Sequence, residues 1–182
     1  MIKTKVYWFT GLSGAGKTTI ANKLKEKLEF LNYSIKLIDG DDVRANLHQN
    51  LGFTTDDIKI NNQLISQLCV DNLFKYDVIL VPIISPYAVS REDARVKIGS
   101  SFKEIYIAAT IETVINRDTK GLYQKAINGE INNMIGYSSD SIYEIPLSPD
   151  FVVDTEITNI NDSVESFFQF IIKELVSKEA SR

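Results

Sequence analysis

Gly11-Leu12-Ser13-Gly14-Ala15-Gly16-Lys17-Thr18 places two glycines, a lysine and a hydroxyl at the spacing G-x-x-x-x-G-K-[ST]. In a loop of this kind the glycines let the backbone curl until its N–H groups converge on phosphate oxygens. Lys17 then reaches the β/γ-phosphates and the Thr18 hydroxyl can ligate Mg²⁺. The expected phosphate contacts are Gly11, Ser13, Gly14, Ala15, Gly16, Lys17, Thr18 and Thr19, with Lys17 also catalytic and Thr18 a metal ligand. A helix following the loop would add the positive end of its dipole.

Two further clusters carry ionisable or hydroxyl groups. Asp39-Gly40-Asp41-Asp42-Val43-Arg44 offers three carboxylates and a guanidinium. Asp39 and Asp41 suit Mg²⁺ held through water, or acceptance of a hydroxyl proton, as phosphoryl transfer requires. Arg44 suits a planar clamp on a substrate anion, while a helix cap is the alternative reading for Asp42. Downstream, Ile84-Ser85-Pro86-Tyr87 ends an apolar run and is followed by Arg91 and Arg95 at helical spacing. Arg117-Asp118 and Lys120-Gly121-Leu122-Tyr123 then supply cations that can close over transferred phosphate.

These groups need a scaffold. Short β-branched or aromatic runs alternate with longer helical patterns, the signature of a parallel sheet covered on both faces. Strands are expected at Val6–Thr10, Ser34–Ile38, Val78–Ile84, Glu104–Ala109 and Phe151–Val153. Helices are expected near Thr18–Leu31, Asp56–Lys75, Val89–Ser100, Ile111–Asn116 and Ser163–Val176, with a short one near Val43–His48. The fold class is α/β: a three-layer P-loop arrangement of nucleoside-kinase type, one domain over residues 1–182. The clusters fall beyond the carboxyl ends of strands, where open parallel sheets bind ligands. Residues from about 117 to 149 are rich in Gly, Asn, Ser and Pro and long for a connection, so they read as an active-site lid.

Composition narrows the partners. At 182 residues and net charge −4 the chain has no electrostatic footprint for a nucleic-acid polymer or an anionic membrane. Phosphate affinity must then come from a few local cations. Cys69 is the only cysteine and His48 the only histidine, which excludes an intrachain disulfide and a Cys/His zinc cluster. Cys69 is expected in the core and His48 at the surface or a cap. Val164, Phe167, Phe168, Ile171, Ile172 and Leu175 recur at helical spacing and read as core. The first strand follows the N-terminus directly, without an apolar leader, and no run approaches a membrane span, so cytoplasmic residence is expected. Ser177–Arg182 reads as a fraying tail.

At this level of detail the sequence resembles the adenylylsulfate (APS) kinases. The matching segments are GLSGAGKTT, IDGDDVRANL, LGFTTDD, Asn61, IISPY, R-x-x-x-R and RDTKGLYQKAINGEI, in that order. The resemblance implies ATP with Mg²⁺, phosphorylation of the ribose 3′-hydroxyl of a small-molecule nucleotide carrying a modified 5′-diphosphate group, and a homodimer. It implies Asp41 as general base, Arg44 as a substrate-anion ligand, and Phe53 as one face of a base-stacking site. Asn61, Ile84, Ser85 and Lys120 become further acceptor contacts, Arg117 a lid residue near phosphate, and Asp39 a metal ligand through water.

Departures from the family pattern bear on the acceptor. Ile58 stands where an arginine normally grips the phosphosulfate, Gln63 and Leu64 replace two further arginines, and Ala88 replaces another. Met134 takes the place of a second stacking phenylalanine, and the Gly136–Tyr143 loop is about two residues longer than usual. A thioether face suits a smaller ring as well as adenine, and fewer cations fit a less charged terminal group. These departures resemble a divergent branch of the family that acts on cytidine diphosphoramidate in capsule decoration, and that resemblance makes cytidine diphosphoramidate the expected acceptor, with adenylylsulfate in sulfate assimilation as the alternative. A non-catalytic nucleotide-binding module is the reading from another class, opposed by the intact Asp39, Asp41 and Lys17.

Overall fold

Phosphate-loop placement depends on one central strand. In the computed structural model, which describes residues 4–46 and 51–176, β1 (Lys5–Thr10) is buried along its whole length. It is flanked by β3 (Val78–Val81) and β4 (Phe102–Ala108). Outside these lie β2 (Ile35–Leu37) and β5 (Phe151–Asp154), giving the parallel order β2-β3-β1-β4-β5. This is the five-stranded α/β architecture that the alternating pattern predicts.

Successive residues of β1 feed opposite faces, as strand geometry dictates. Tyr7 and Phe9 join one core with α1 (Lys17–Phe30) and α7 (Ile160–Val176), through Ile20, Leu24, Phe167 and Ile171. Val6 and Trp8 join the other with α3 (Thr55–Asn72) and α4 (Ala88–Ile98), through Ile65, Cys69, Ala94 and Ile98. Cys69 is fully buried as expected, and burial pushes its thiol up to about 12, far from nucleophilic range. His48 and the Ser177–Arg182 tail lie outside the described residues. None of the described helices is long and apolar enough to cross a membrane.

Several element boundaries differ from the sequence pattern for local reasons. β3 ends at Val81 rather than Ile84, because Pro82 has no N–H to continue the ladder. The short helix α2 spans Gly40–Asn46, starting before Val43: the Asp39 side chain accepts from the Asp41 amide and caps it. α3 opens with a capping box between Thr54 and Asp57. A short helix, α6 (Leu122–Ile127), follows α5 (Ile111–Arg117) inside the segment expected to be an irregular lid.

Much of that segment is fastened down. Asp118 caps α6 by accepting from the amides of Tyr123 and Gln124, and the Tyr123 hydroxyl donates to the Ser13 carbonyl. Gly136 has a φ of +78°, which favours glycine, and a Cβ there would come 2.4 Å from Leu12 Cδ2, so a larger residue would have to displace the Leu12 side chain beside the phosphate loop. Tyr143 Oη lies 2.9 Å from Thr10 Oγ1, and the Glu144 amide donates to the Pro86 carbonyl at 2.9 Å.

Candidate active site

A cavity of about 470 Å³ opens beyond the carboxyl ends of β1, β2 and β3. One side is the phosphate loop and the first turn of α1, presenting Ser13, Gly14, Gly16, Lys17, Thr18 and Thr19. Gly16 caps α1 without a side chain, which leaves the first helical amides for an anion. Gly11 and Ala15 do not reach the cavity. Gly11 instead packs so close to β4 that a Cβ would meet the Ile107 carbonyl at 2.5 Å.

Lys17 is 8% exposed, and its ammonium donates to the carbonyls of Gly11 at 2.9 Å and Leu12 at 2.7 Å. Burial, helped by the Lys120 cation and opposed by Asp41 and Asp39, pushes its pKa down to about 7. A buried ammonium whose hydrogen bonds run to neutral carbonyls fits a site completed by phosphate. Thr18 Oγ1 donates to Asp39 Oδ2 at 3.0 Å, so the hydroxyl and carboxylate expected to serve Mg²⁺ are adjacent, as that role demands.

The opposite side is built from α2, α3 and the turn after β3. Asp41 stands at the mouth, where its Oδ2 is paired with Lys120 Nζ. Lys120 reaches it from the tight turn closed by the Gly121 amide on the Asp118 carbonyl. Arg44 lies over the Phe53 ring at 4.6 Å and donates to the carbonyls of Leu51 and Gly52. Asn61, Ile84 and Ser85 complete the expected set. The Ser85 hydroxyl is already engaged: it accepts from Trp8 Nε1 at 3.1 Å and donates to Asn62 Oδ1 at 2.7 Å.

Two further expected site residues are elsewhere. Met134 is 6% exposed and sits in the core that includes Leu12, Val114 and Tyr123; Ile135 lines the cavity instead. The docking of Gly136 on Leu12 accompanies this inward placement. Arg117 is also absent from the wall: its guanidinium donates to the carbonyl and hydroxyl of Thr155, just past β5. Gln63 and Leu64 are exposed and do not line the cavity.

Other wall residues were not anticipated as contacts, among them Asn62, Ile83, Thr119 and Leu122. Ile58, singled out only as a departure, is also in the wall. For Asn62 the sequence holds a usable signal. Ile58, Asn61, Asn62 and Ile65 follow helical spacing and are all buried, and amides on a buried stripe are the unusual observation.

A family model described as adenylylsulphate kinase matches residues 3–154. The chain belongs to the adenylylsulfate kinase family. A protein of Pyrococcus abyssi named "Probable adenylyl-sulfate kinase" is 41% identical over 158 residues, covering 87% of this chain and 89% of the relative. The adenylyl-sulfate kinase of Oceanobacillus iheyensis is 40% identical over 173 residues, covering 93% and 84%. Among solved structures, the Mycobacterium tuberculosis APS kinase in complex with AMPPNP and APS superimposes with a TM-score of 0.87 at 31% identity, covering 94% of this chain and 99% of that one. The protein is thus an ATP-dependent phosphotransferase of the adenylylsulfate kinase family, acting on a nucleotide hydroxyl with ATP and Mg²⁺.

Proposed function

We propose that the chain is an adenylylsulfate kinase, transferring the γ-phosphoryl group of ATP to the ribose 3′-hydroxyl of adenylylsulfate to give 3′-phosphoadenylylsulfate and ADP. The observation that carries this reading is the single cavity that joins the phosphate loop to Asp41, Arg44, Phe53 and Asn61. Relatives near 40% identity carrying that name, and a structural neighbour holding AMPPNP and APS, support the choice of acceptor.

In this reading Lys17 and the amides of Gly14–Thr19 bind the donor phosphates. Thr18 directly, and Asp39 through water, would hold Mg²⁺, which when bound neutralises phosphate charge. Asp41 accepts the 3′-hydroxyl proton as that oxygen bonds to the γ-phosphorus and the bond to the ADP oxygen breaks. Lys120 orients Asp41 in the free protein and is placed to meet the transferred phosphoryl group. Arg44 binds the acceptor's 5′ anion and Phe53 stacks on its base. Arg117 serves by tying the end of α5 to Thr155. The Lys120 turn closes over the bound nucleotides, as a lid.

Cytidine diphosphoramidate is a second reading, favoured by Ile58, an apolar side chain in the wall where the family pattern has arginine. Its other ground, a thioether face for the base, is lost with Met134 in the core. Side-by-side measurement of 3′-phosphorylation of both nucleotides under saturating Mg-ATP decides. A kcat/KM for adenylylsulfate equal to or above that for the cytidine compound is expected, and the reverse order would replace the first reading with the second. We propose a homodimer as the assembly, to be checked by light scattering.

A further inference from the structure

Ser85 has a φ of +43°, in the left-handed region that a residue with a Cβ rarely adopts. Such a conformation persists only where the surroundings over-determine it, and it concentrates where geometry matters for function. Here the surroundings are explicit. The Ser85 carbonyl accepts from Thr10 Oγ1 at 3.0 Å and from Arg91 Nη1 at 2.9 Å. Its hydroxyl accepts from Trp8 and donates to Asn62 Oδ1.

Asn62 is 3% exposed and spends its other end on the same task, as Nδ2 donates to the Ile58 carbonyl at 2.7 Å. The Nδ2 bond stays within α3 and sets the amide's orientation, while the Oδ1 bond crosses from α3 to the turn after β3. Both places line the cavity that Phe53 also lines, and Asn62 is itself among the lining residues. The phosphate loop has its own ties, Lys17 on the loop carbonyls and Thr18 on Asp39, and meets this turn where the Gly11 amide donates to the Ile84 carbonyl at 3.3 Å, a bond that does not pass through Asn62.

We propose that Asn62 is a positioning residue for the acceptor: oriented by the Ile58 carbonyl and bonded to the Ser85 hydroxyl, it fixes the distance between α3 and the Ser85 turn, and so the width of the acceptor side of the cavity. The inference rests on the reading that the Phe53 side of the cavity receives the acceptor. An apolar residue at position 62 leaves the buried Ser85 hydroxyl without its acceptor and removes the tether, in a setting where a half-satisfied polar network is costly. The loss falls on the acceptor side.

The chain carries its own reporter. Trp8 is the sole tryptophan, and its indole N–H bonds to the Ser85 hydroxyl. Disturbance of the tether therefore reaches a buried fluorophore that is not one of the cavity-lining residues.

The test uses the full chain, with whichever of adenylylsulfate and cytidine diphosphoramidate the wild type phosphorylates. Asn62→Leu should raise the KM for that acceptor tenfold or more, with the KM for ATP changed less than twofold and kcat less than threefold. The double variant Asn62→Leu/Ser85→Ala should be no worse than the more impaired single variant, because both act through one tether. Acceptor addition should move Trp8 emission in the wild type and leave it unmoved in Asn62→Leu. Equal rises in both KM values, or additive effects in the double variant, would overturn the inference while leaving the proposed function intact. A wild type that phosphorylates neither nucleotide would overturn the proposed function, and the inference with it. If Asn62→Leu does not fold by circular dichroism, Asn62→Ser carries the same one-sided expectation.

Discussion

Thr18 and Asp39 are joined by a 3.0 Å hydrogen bond that ties the first turn of α1 to the end of β2. Asp39 meets two demands at once, since its other oxygen accepts from the Asp41 amide at 2.9 Å and so caps α2. The carboxylate expected to serve Mg²⁺ thus also aims the segment that carries Asp41. Asp39→Asn keeps an oxygen for Thr18 and removes the charge. It should raise the Mg²⁺ concentration needed for half-maximal turnover about tenfold, with metal-free ATP binding within about threefold of wild type. Unchanged Mg²⁺ dependence in steady-state titration would reduce Asp39 to a helix cap.

Asp41 is the carboxylate at the cavity mouth and is held there by Lys120. General-base removal typically costs about 10²–10⁴ in rate. Asp41→Asn should therefore lower kcat by about a hundredfold or more, while the Kd for ATP stays within about twofold. Turnover near the wild-type rate would take the base role away from Asp41.

Local signals in the chain were legible because local rules govern them. The glycine spacing before Lys17, the run Val6–Thr10 and the stripe from Val164 to Leu175 each follow from sterics or periodicity within a few residues. The carboxyl-end rule then brought Asp39, Asp41 and Ser85 to one edge. What did not follow was the direction of side chains fixed by contacts distant in sequence. Met134 turns inward where Gly136 docks on Leu12, 124 positions earlier by their numbering. Arg117 turns to Thr155, a partner that exists only because β5 pairs with β4. Motif matching assigned both residues to ligand, and long-range packing reassigned them.

The placement of Met134 has its own consequence for stability. Met134→Ala should cost about 2–5 kcal/mol, as for other buried large-to-small changes. Met134→Phe should overpack the same site by about 1–3 kcal/mol. Denaturant melts will show both losses, and the acceptor KM of the folded fraction should stay within about twofold. A stable Met134→Phe with a sharply lower acceptor KM would return this position to the base site.

Lys17 makes donor binding pH-dependent. Its pKa in the free protein is about 7, lowered mainly by burial. Phosphate oxygens placed beside the ammonium favour the charged form and raise that value. Binding ATP above about pH 7 therefore takes up a proton, and affinity should fall about tenfold per pH unit between the free and bound values. Below about pH 6 the uptake should vanish. Folding follows the same linkage: from about pH 7 toward the ordinary lysine value the unfolded chain holds more protons, so this group's penalty on stability is full at low pH and relieved as pH rises. Calorimetric titration of ATP in two buffers of different ionisation enthalpy measures the uptake. Zero uptake at pH 8.5, to take a value about 1.5 units above the free pKa, would show that Lys17 is already charged there.

Ile58 is 6% exposed, lies one position beyond the capping residue Asp57, and contributes an apolar surface to the acceptor wall. An enclosed anion that gains a charge-assisted partner is typically held more tightly by about 2–5 kcal/mol, roughly 30-fold to several thousand-fold. Part of that is lost because the new guanidinium must itself leave water. Ile58→Arg should accordingly lower the KM for adenylylsulfate by about tenfold or more and leave the KM for ATP nearly unchanged. Cytidine diphosphoramidate, with less charge on its terminal group, should gain less. If adenylylsulfate gains nothing from the added cation, its 5′ anion is held from another part of the wall, and Arg44 over Phe53 becomes the group to vary next.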